Sequence, residues 1–280
     1  MKKALKIIGI SFVAVTGILF VLYLVYLRPF MEKMKETAVN QYDKNLTLVM
    51  GGGGNSGILV ADSLVLVIDT KMNDAAKKFH QMAVDIAGKR PIVVINTHIH
   101  SDHTEGNKYF AGNTIIAGGD YKKADWIKAN GEVGMPTEWL KGSKVIPMGD
   151  DTATVFTFGK NVHTAGDIMV YLHRRKLLFG GDVILNKTAP VLMGEANPNA
   201  YLEVFEALPK QYDIQHIVPG HGALGGIEVL STFQQFMSDM KLAANDESQK
   251  AGLLDKYKDW NGVPIVMSPS STVKAFQKVK

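Results

Sequence analysis

Residues 97–103 read THIHSDH and put three of the chain's eight histidines, with an aspartate, into six consecutive positions. Core packing gives no reason for that composition, whereas imidazole nitrogens and carboxylate oxygens are donors that divalent metals take from proteins. His98 and His100 lie two residues apart in a segment expected to be extended, so both rings face one side. Asp102 and His103 follow where the chain is expected to turn into a helix starting near Glu105, which aims them at a neighbouring point. Three further ligand-type side chains come later: His163 in KNVHTAGD, Asp182 after KLLFGG and His221 after HIVPG. A catalytic zinc takes about three protein ligands and keeps one position open. Seven candidates are too many for one such ion and suit two, and the two oxygens of Asp182 allow it to bridge them. The other histidines, His80, His173 and His216, stand alone in a helix, at a strand end and at a strand start, and are read as packing or surface residues.

Residues so far apart can meet only if the elements before them end on one edge of a sheet. Short β-type runs, LTLVM, GILVA (57–61) and LVLVIDT (64–70), are separated by Gly and Asn turns and read as strands. NDAAKKFHQMAVDIAGK (73–89) has the period of an amphipathic helix, with Asn73 or Asp74 as N-cap and Gly88 near its end. PIVVIN (91–96) is apolar and β-branched, the mark of a buried strand, and the histidine motif begins where it stops. Further strands are expected over 113–118, 145–149, 153–159, 168–173, 176–181 and 216–220. Helices are expected over 121–131 and 199–212, followed by a helical region over 226–258 and a short tail over 262–280. Strands clustered with helices at intervals indicate a mixed α/β layered domain.

The same residues resemble a known family. THIHSDH matches the H-x-H-x-D-H signature of the metallo-β-lactamase superfamily, and HTAGD (163–167), GGD (180–182) and PGHG (219–222) match its later ligand motifs in order. NSGILVADSLVLVIDT (55–70) looks like its first strands, leading into an acidic IDT turn. The resemblance covers roughly residues 44–245. It implies an αββα sandwich with a dinuclear site at its edge. Carried over position by position, it implies that His98, His100 and His163 hold one metal, that Asp102, His103 and His221 hold the second, and that Asp182 bridges. Class B β-lactamases of the commonest type have a cysteine at the Asp182 position, and this chain has no cysteine anywhere. With aspartate there, the site looks more like those of glyoxalase II and lactonases.

The expected activity is hydrolysis of an ester, thioester, lactone or amide in a small-molecule substrate. A bridging hydroxide would attack the carbonyl carbon, with Asp102 as a proton acceptor. Two zinc ions per chain are the expected cofactors, and an all-nitrogen-and-oxygen donor set also admits iron or manganese. Two alternatives stand beside this: a β-lactam hydrolase, and an iron-dependent enzyme of the persulfide-dioxygenase kind. Thr164, Asp167 and Asp69 are candidates for orienting the metal-bound imidazoles from behind. GGGG (51–54) lacks the Lys-Ser/Thr and helix of a phosphate loop and reads as a hairpin turn near the metal edge. Lys122-Lys123 and Arg174-Arg175 are read as solvated surface.

Composition excludes some classes. The chain's net charge of +4 is all in residues 1–36, where six Lys and Arg face two Glu, so the remainder is neutral and offers no footprint for nucleic acid. The absence of cysteine removes disulfides, thiolate zinc sites and a cysteine nucleophile. Residues 7–27, IIGISFVAVTGILFVLYLVYL, form an uncharged run long enough, at roughly 1.5 Å per residue, to cross a hydrocarbon core of about 30 Å. A cleavable signal usually has an apolar stretch of about 7–15 residues and a small-residue cleavage site. This run ends instead in Tyr26-Leu27-Arg28-Pro29-Phe30, which favours an N-terminal transmembrane helix over secretion after cleavage. Lys2, Lys3 and Lys6 orient it with the catalytic domain outside the cytoplasmic membrane. The expected organisation is an anchor over 1–30, a juxtamembrane linker over 31–45, the catalytic domain over 46–262 and a tail over 263–280.

Overall fold

The computed structural model describes residues 15–33, 35–263 and 266–279. Strands β1 (Thr37–Asp43), β2 (Leu46–Gly51), β3 (Ser56–Val60) and β4 (Val65–Ile68) form an antiparallel meander. Strands β5 (Ile92–Ile95), β6 (Thr114–Gly118) and β7 (Glu138–Leu140) continue the same sheet by parallel pairing from β4 onward. Parallel neighbours need crossovers. Helix α1 (Asn73–Ala87), the short helix α2 (Ser101–Thr104) running into a 3-10 segment at Glu105–Phe110, and α3 (Lys123–Asn130) supply them. The second sheet contains β8 (Ser143–Met148), β9 (Asp151–Thr157), β10 (Ile168–Leu172), β11 (Leu177–Gly181), β12 (His216–Pro219) and β13 (Gly225–Gly226). It is antiparallel except for β11 and β12, which are joined through helix α4 (Pro198–Gln211). Helices α5 (Glu228–Asn245), α6 (Glu247–Lys256) and α7 (Pro269–Lys278) follow.

Central strands such as β4 and β10 are apolar and buried at every position because both of their faces are covered. In β4, Leu66 and Ile68 join the core between the sheets, while Val65 and Val67 pack under α1 with Phe79 and Ala83. In β10, Ile168, Val170 and Leu172 face the other sheet, while Met169 and Tyr171 pack under the helices with Tyr201, Phe205, Phe233 and Phe236. Period-two alternation into two different cores yields the expected αββα order of layers.

The structure departs from the sequence expectations in several places. The metal-motif helix starts at Ser101, not near Glu105, so Asp102 and His103 lie within its single turn. The N-cap of α1 is Met72, and Asn73 sits inside the helix start with φ +52°. Residues 31–45, expected as a linker, contain strand β1, which pairs with β2 although its mostly exposed TAVNQYD carries no apolar pattern that would register as a strand. The expected tail carries α7, capped by Ser268 and anchored by buried Val273 and Phe276. Residues 15–33 are helical, with Ile18, Leu19 and Phe20 exposed. Among the described residues no helix is long and apolar enough to cross a membrane, and residues 7–14 of the expected span lie outside the described residues.

Arg175 also differs from its expected place on the surface. Its guanidinium donates to both carboxylate oxygens of Asp43, at 2.7 and 3.0 Å, and to Asp151, and its side chain is 3% exposed. It ties the β1–β2 turn to the second sheet at the edge opposite the histidine motif. Arg175→Ala leaves the fully buried Asp151 carboxylate without its counter-charge, which should cost on the order of 3 kcal/mol in urea unfolding.

Candidate metal centre

All the expected ligands follow the carboxyl ends of strands that run in one direction. His98, His100, Asp102 and His103 follow β5, His163 follows β9, Asp182 follows β11 and His221 follows β12. Open α/β sheets place their ligand sites outside the carboxyl ends of strands. One irregularity aims Asp182: Phe179 pairs with Val218 and Gly181 with Pro219, so β11 has one extra residue, and Gly181 takes φ +50°. The chain turns there into the shared edge.

Two donor groups result. In the first, His98, His100, His163 and Asp182 each present an atom within 4.8 Å of the others, and Asp102, His103 and His221 do the same in the second. His100 Nδ1 lies 3.1 Å from His98 Nε2 and 3.0 Å from His163 Nε2, although residues 97–99 are bent and not extended as expected. Asp182 divides its oxygens between the groups. Its Oδ2 is 3.6 Å from His163 Nε2 and 4.0 Å from His98 Nε2, and its Oδ1 is 3.2 Å from His103 Nε2 and 3.5 Å from His221 Nε2. Asp102 Oδ2 lies 3.0 Å from His221 Nε2.

Each of three deep imidazoles is fixed by the nitrogen that faces away from the centre. His103 Nδ1 is 2.7 Å from Asp69 Oδ2, His98 Nδ1 is 3.1 Å from Thr97 Oγ1, and His163 Nδ1 is 3.0 Å from the Tyr201 hydroxyl. Metal-ligating histidines are normally held this way. Asp69 also accepts from the Thr97 amide and hydroxyl, so one buried carboxylate orients both half-motifs. Asp167 and Thr164 act differently from the expectation: Asp167 accepts from the His163 and Thr164 backbone amides and shapes the loop without touching the ring. His80, His173 and His216 lie outside the cluster, against Phe110, Thr154 and Tyr42.

Two buried polar atoms test whether the donor set fits divalent cations. His103 Nε2 and Asp182 Oδ1 are buried and, although 3.2 Å apart, neither makes an aligned hydrogen bond among the described residues. Such orphans are costly in a core, and divalent cations between the two groups would engage both. Burial, reinforced by His103, pushes His98 well below the ordinary histidine range, and burial brings His163 down to about 3, so both stand in the neutral, ligating form. Burial works against protonation of His221 too, but Asp182 and Asp102 outweigh it and raise its pKa to about 9. His103 is likewise lifted well above its usual value by Asp69, Asp102 and Asp182, against burial. Burial would raise Asp102, but His103 and His221 take it down to about 2, so its carboxylate stands ionised beside them.

A proton-linked metal affinity follows. At pH 7 His103 and His221 of the metal-free protein carry protons that a cation at their Nε2 atoms must displace. Calorimetry in buffers of different ionisation enthalpy should therefore show proton release on zinc binding. Affinity at this half-site should rise with pH through about 9, where His221 gives up its proton. Binding without proton release at pH 7 would contradict the charge pattern.

Sequence reasoning missed the residues that hold the Gly51–Gly54 loop. Lys71, wholly buried, donates to the carbonyls of Val49, Gly51 (2.7 Å) and Gly54 (2.6 Å). Burial pushes its ammonium down to about 7, against the pull of Asp69 and Asp102. Asn55 donates to the Pro219 and Gly222 carbonyls, both at 2.8 Å, joining that loop to the His221 turn. The loop is thus a buried wall of the centre, more constrained than a hairpin turn.

The profile of the metallo-beta-lactamase superfamily matches residues 49–221. The chain belongs to that superfamily, and its place there is among metallo-hydrolases. Acyl-coenzyme A thioesterase MBLAC2 of Gallus gallus is 26% identical over 200 residues, which is 61% of this chain and 68% of that protein. Metallo-beta-lactamase type 2 of Elizabethkingia meningoseptica is 29% identical over 175 residues, 60% of this chain and 68% of its own. Among solved structures, a metallo-beta-lactamase from Pontibacter korlensis shares the fold with a TM-score of 0.60 at 19% identity, over 73% of this chain and 100% of that one.

Proposed function

We propose that this chain uses a dinuclear centre, with zinc as the first choice of metal, to hydrolyse an ester, thioester, lactone or amide. The observation that supports it most is the division of Asp182, whose two oxygens face different histidine sets. His98, His100 and His163 would hold one ion and Asp102, His103 and His221 the other. Two divalent ions held there supply Lewis acidity and a hydroxide available near neutral pH. The protein's part is to hold the donors rigid through Asp69, Thr97 and Tyr201 and to keep water from the buried side. Asp182 in place of a cysteine favours acyl-ester and thioester substrates over β-lactams. The thioesterase relative agrees with that choice, and the β-lactamase relative keeps lactam cleavage as the alternative to test.

The apolar run over 7–27 supports a membrane anchor, and the Lys2, Lys3 and Lys6 cluster supports a catalytic domain on the outer side. Protease accessibility of the domain in intact spheroplasts tests that placement.

The direct test is metal analysis of protein purified without chelators, joined to an activity panel. Two ions per chain and ester or thioester hydrolysis, lost on chelation and restored by zinc, are expected. Turnover confined to a chromogenic cephalosporin would move the assignment to β-lactams. A single iron, with no hydrolysis across the metal-loaded panel, would overturn it.

A further inference from the structure

A cavity of about 710 Å³ opens beside the metal centre, and His221, Gly222 and Gly53 are among the residues that line it. Its size lies in the range of small-molecule sites, which are mostly apolar with few polar groups. Val25, Tyr26 and Pro29 of the N-terminal helical segment line one side, and Met50, Trp260 and Met267 line others. The charged residues on its wall, Glu36, Lys258 and Asp259, are all exposed, which leaves them in reach of water. Val25 and Tyr26 also directly precede Leu27, the last residue of the apolar run, where a span leaves the bilayer and tyrosines favour the interface. The cavity therefore touches the His221 turn, and part of its wall comes from the carboxyl end of the apolar run.

We infer that this cavity seats the acyl chain of the substrate, so that the substrate class is an ester or thioester of a medium- or long-chain acyl group. The inference rests on the hydrolase reading of the same centre. With the chain along Met50, Met267 and the N-terminal segment, the acyl carbonyl lies toward His221 and the leaving group points away from the cavity. The N-terminal segment then has a second role, as a specificity wall. Ala38 and Ala223, both exposed and both on the cavity wall, are where added bulk would fill it without disturbing the core.

The experiment uses the full-length protein in phosphatidylcholine nanodiscs with 4-nitrophenyl esters and N-acetylcysteamine thioesters carrying acetyl, butanoyl, octanoyl and dodecanoyl groups. Each methylene that leaves water for an apolar wall is worth roughly three- to fourfold, so kcat/KM should rise by at least about thirtyfold from acetyl to octanoyl. Ala38→Phe with Ala223→Phe should bring the octanoyl-to-acetyl ratio down by roughly tenfold or more. A flat or falling chain-length series, or a ratio unchanged in the double variant, overturns the inference while leaving the hydrolase reading intact. A readout independent of turnover separates the two: bromododecanoate should quench Trp260 fluorescence in the wild type and much less in the double variant. If no ester or thioester is cleaved, that quenching difference still supports the acyl cavity while the hydrolase reading fails. Quenching equal in both proteins reports bilayer contact alone and overturns the cavity assignment.

Discussion

Gly54→Ala should remove the Asp102–His103–His221 half of the metal centre. A Cβ on Gly54 would fall far inside van der Waals contact with Cε1 and Nε2 of the His103 ring. The ring has no room to yield: it is fully buried, Asp69 Oδ2 holds Nδ1 at 2.7 Å, and the Thr70 amide donates to its backbone carbonyl. The loop cannot back away either, because the Gly54 amide donates to Asp102 and Lys71 and Asn55 hold its carbonyls and its far end. Overpacking a site that can relax costs about 1–3 kcal/mol, and this one is tied on both sides, which puts it at the upper end. The expected variant is folded by circular dichroism, binds one metal per chain and loses about a hundredfold or more in kcat, at least the effect of losing a ligand's orientation. Gly252→Ala is the control. Its added methyl meets nothing within 4 Å on helix α6, so unchanged metal content and slightly higher stability are expected. Two bound metals and normal turnover in Gly54→Ala would mean that the loop is looser than its contacts indicate.

The contrast between His103 and Gly54 shows how much of this site is legible in sequence. His98, His100, Asp102 and His103 are visible because donor side chains crowd one short stretch, and His163, Asp182 and His221 because each follows a strand-type run. Strand pattern and donor chemistry are local properties, and the layered fold follows from them. Gly54 reads as one of four turn glycines until its packing against a ring 49 residues away is seen. Asn55 is similar, since its partners Pro219 and Gly222 lie 164 and 167 residues on. Tyr201 supports His163 from the middle of an apolar helix face, where a tyrosine looks like core. Lys71 and Arg175 break the rule that charged residues are exposed, and only their carbonyl and carboxylate partners explain them. A polar side chain's role depends on what it is buried against, and that is set by tertiary contacts.

Asp182→Ala tests the two-metal arrangement itself. A carboxylate this deeply buried is ruinous unless countered. Burial would raise its pKa, yet His221 and His103 hold it well below the ordinary range, so the group is ionised. Its oxygens are the only acceptors shared by both donor sets among the described residues, at 3.2 Å from His103 and 3.6 Å from His163. Without it, each set keeps three ligands but the sites lose a common negative charge, and like-charged ions held close together repel with nothing between them. The expected result is no more than one tightly bound metal and a loss of kcat of at least about a hundredfold, since charge stabilisation by a metal is worth several kcal/mol. Asp182→Asn separates charge from shape. The amide fills the same space beside Gly220, so a shape role predicts near-normal turnover, whereas a bridging role predicts a loss close to that of alanine. Calorimetric proton release should change as well, because Asp182 contributes most to holding the proton on His221. In either variant His221 should titrate nearer the ordinary histidine range, and less proton should leave on zinc binding at pH 7. Full activity with two metals in Asp182→Ala would show that the two histidine sets work without a bridge, and the dinuclear reading would have to be rebuilt on Asp102 alone.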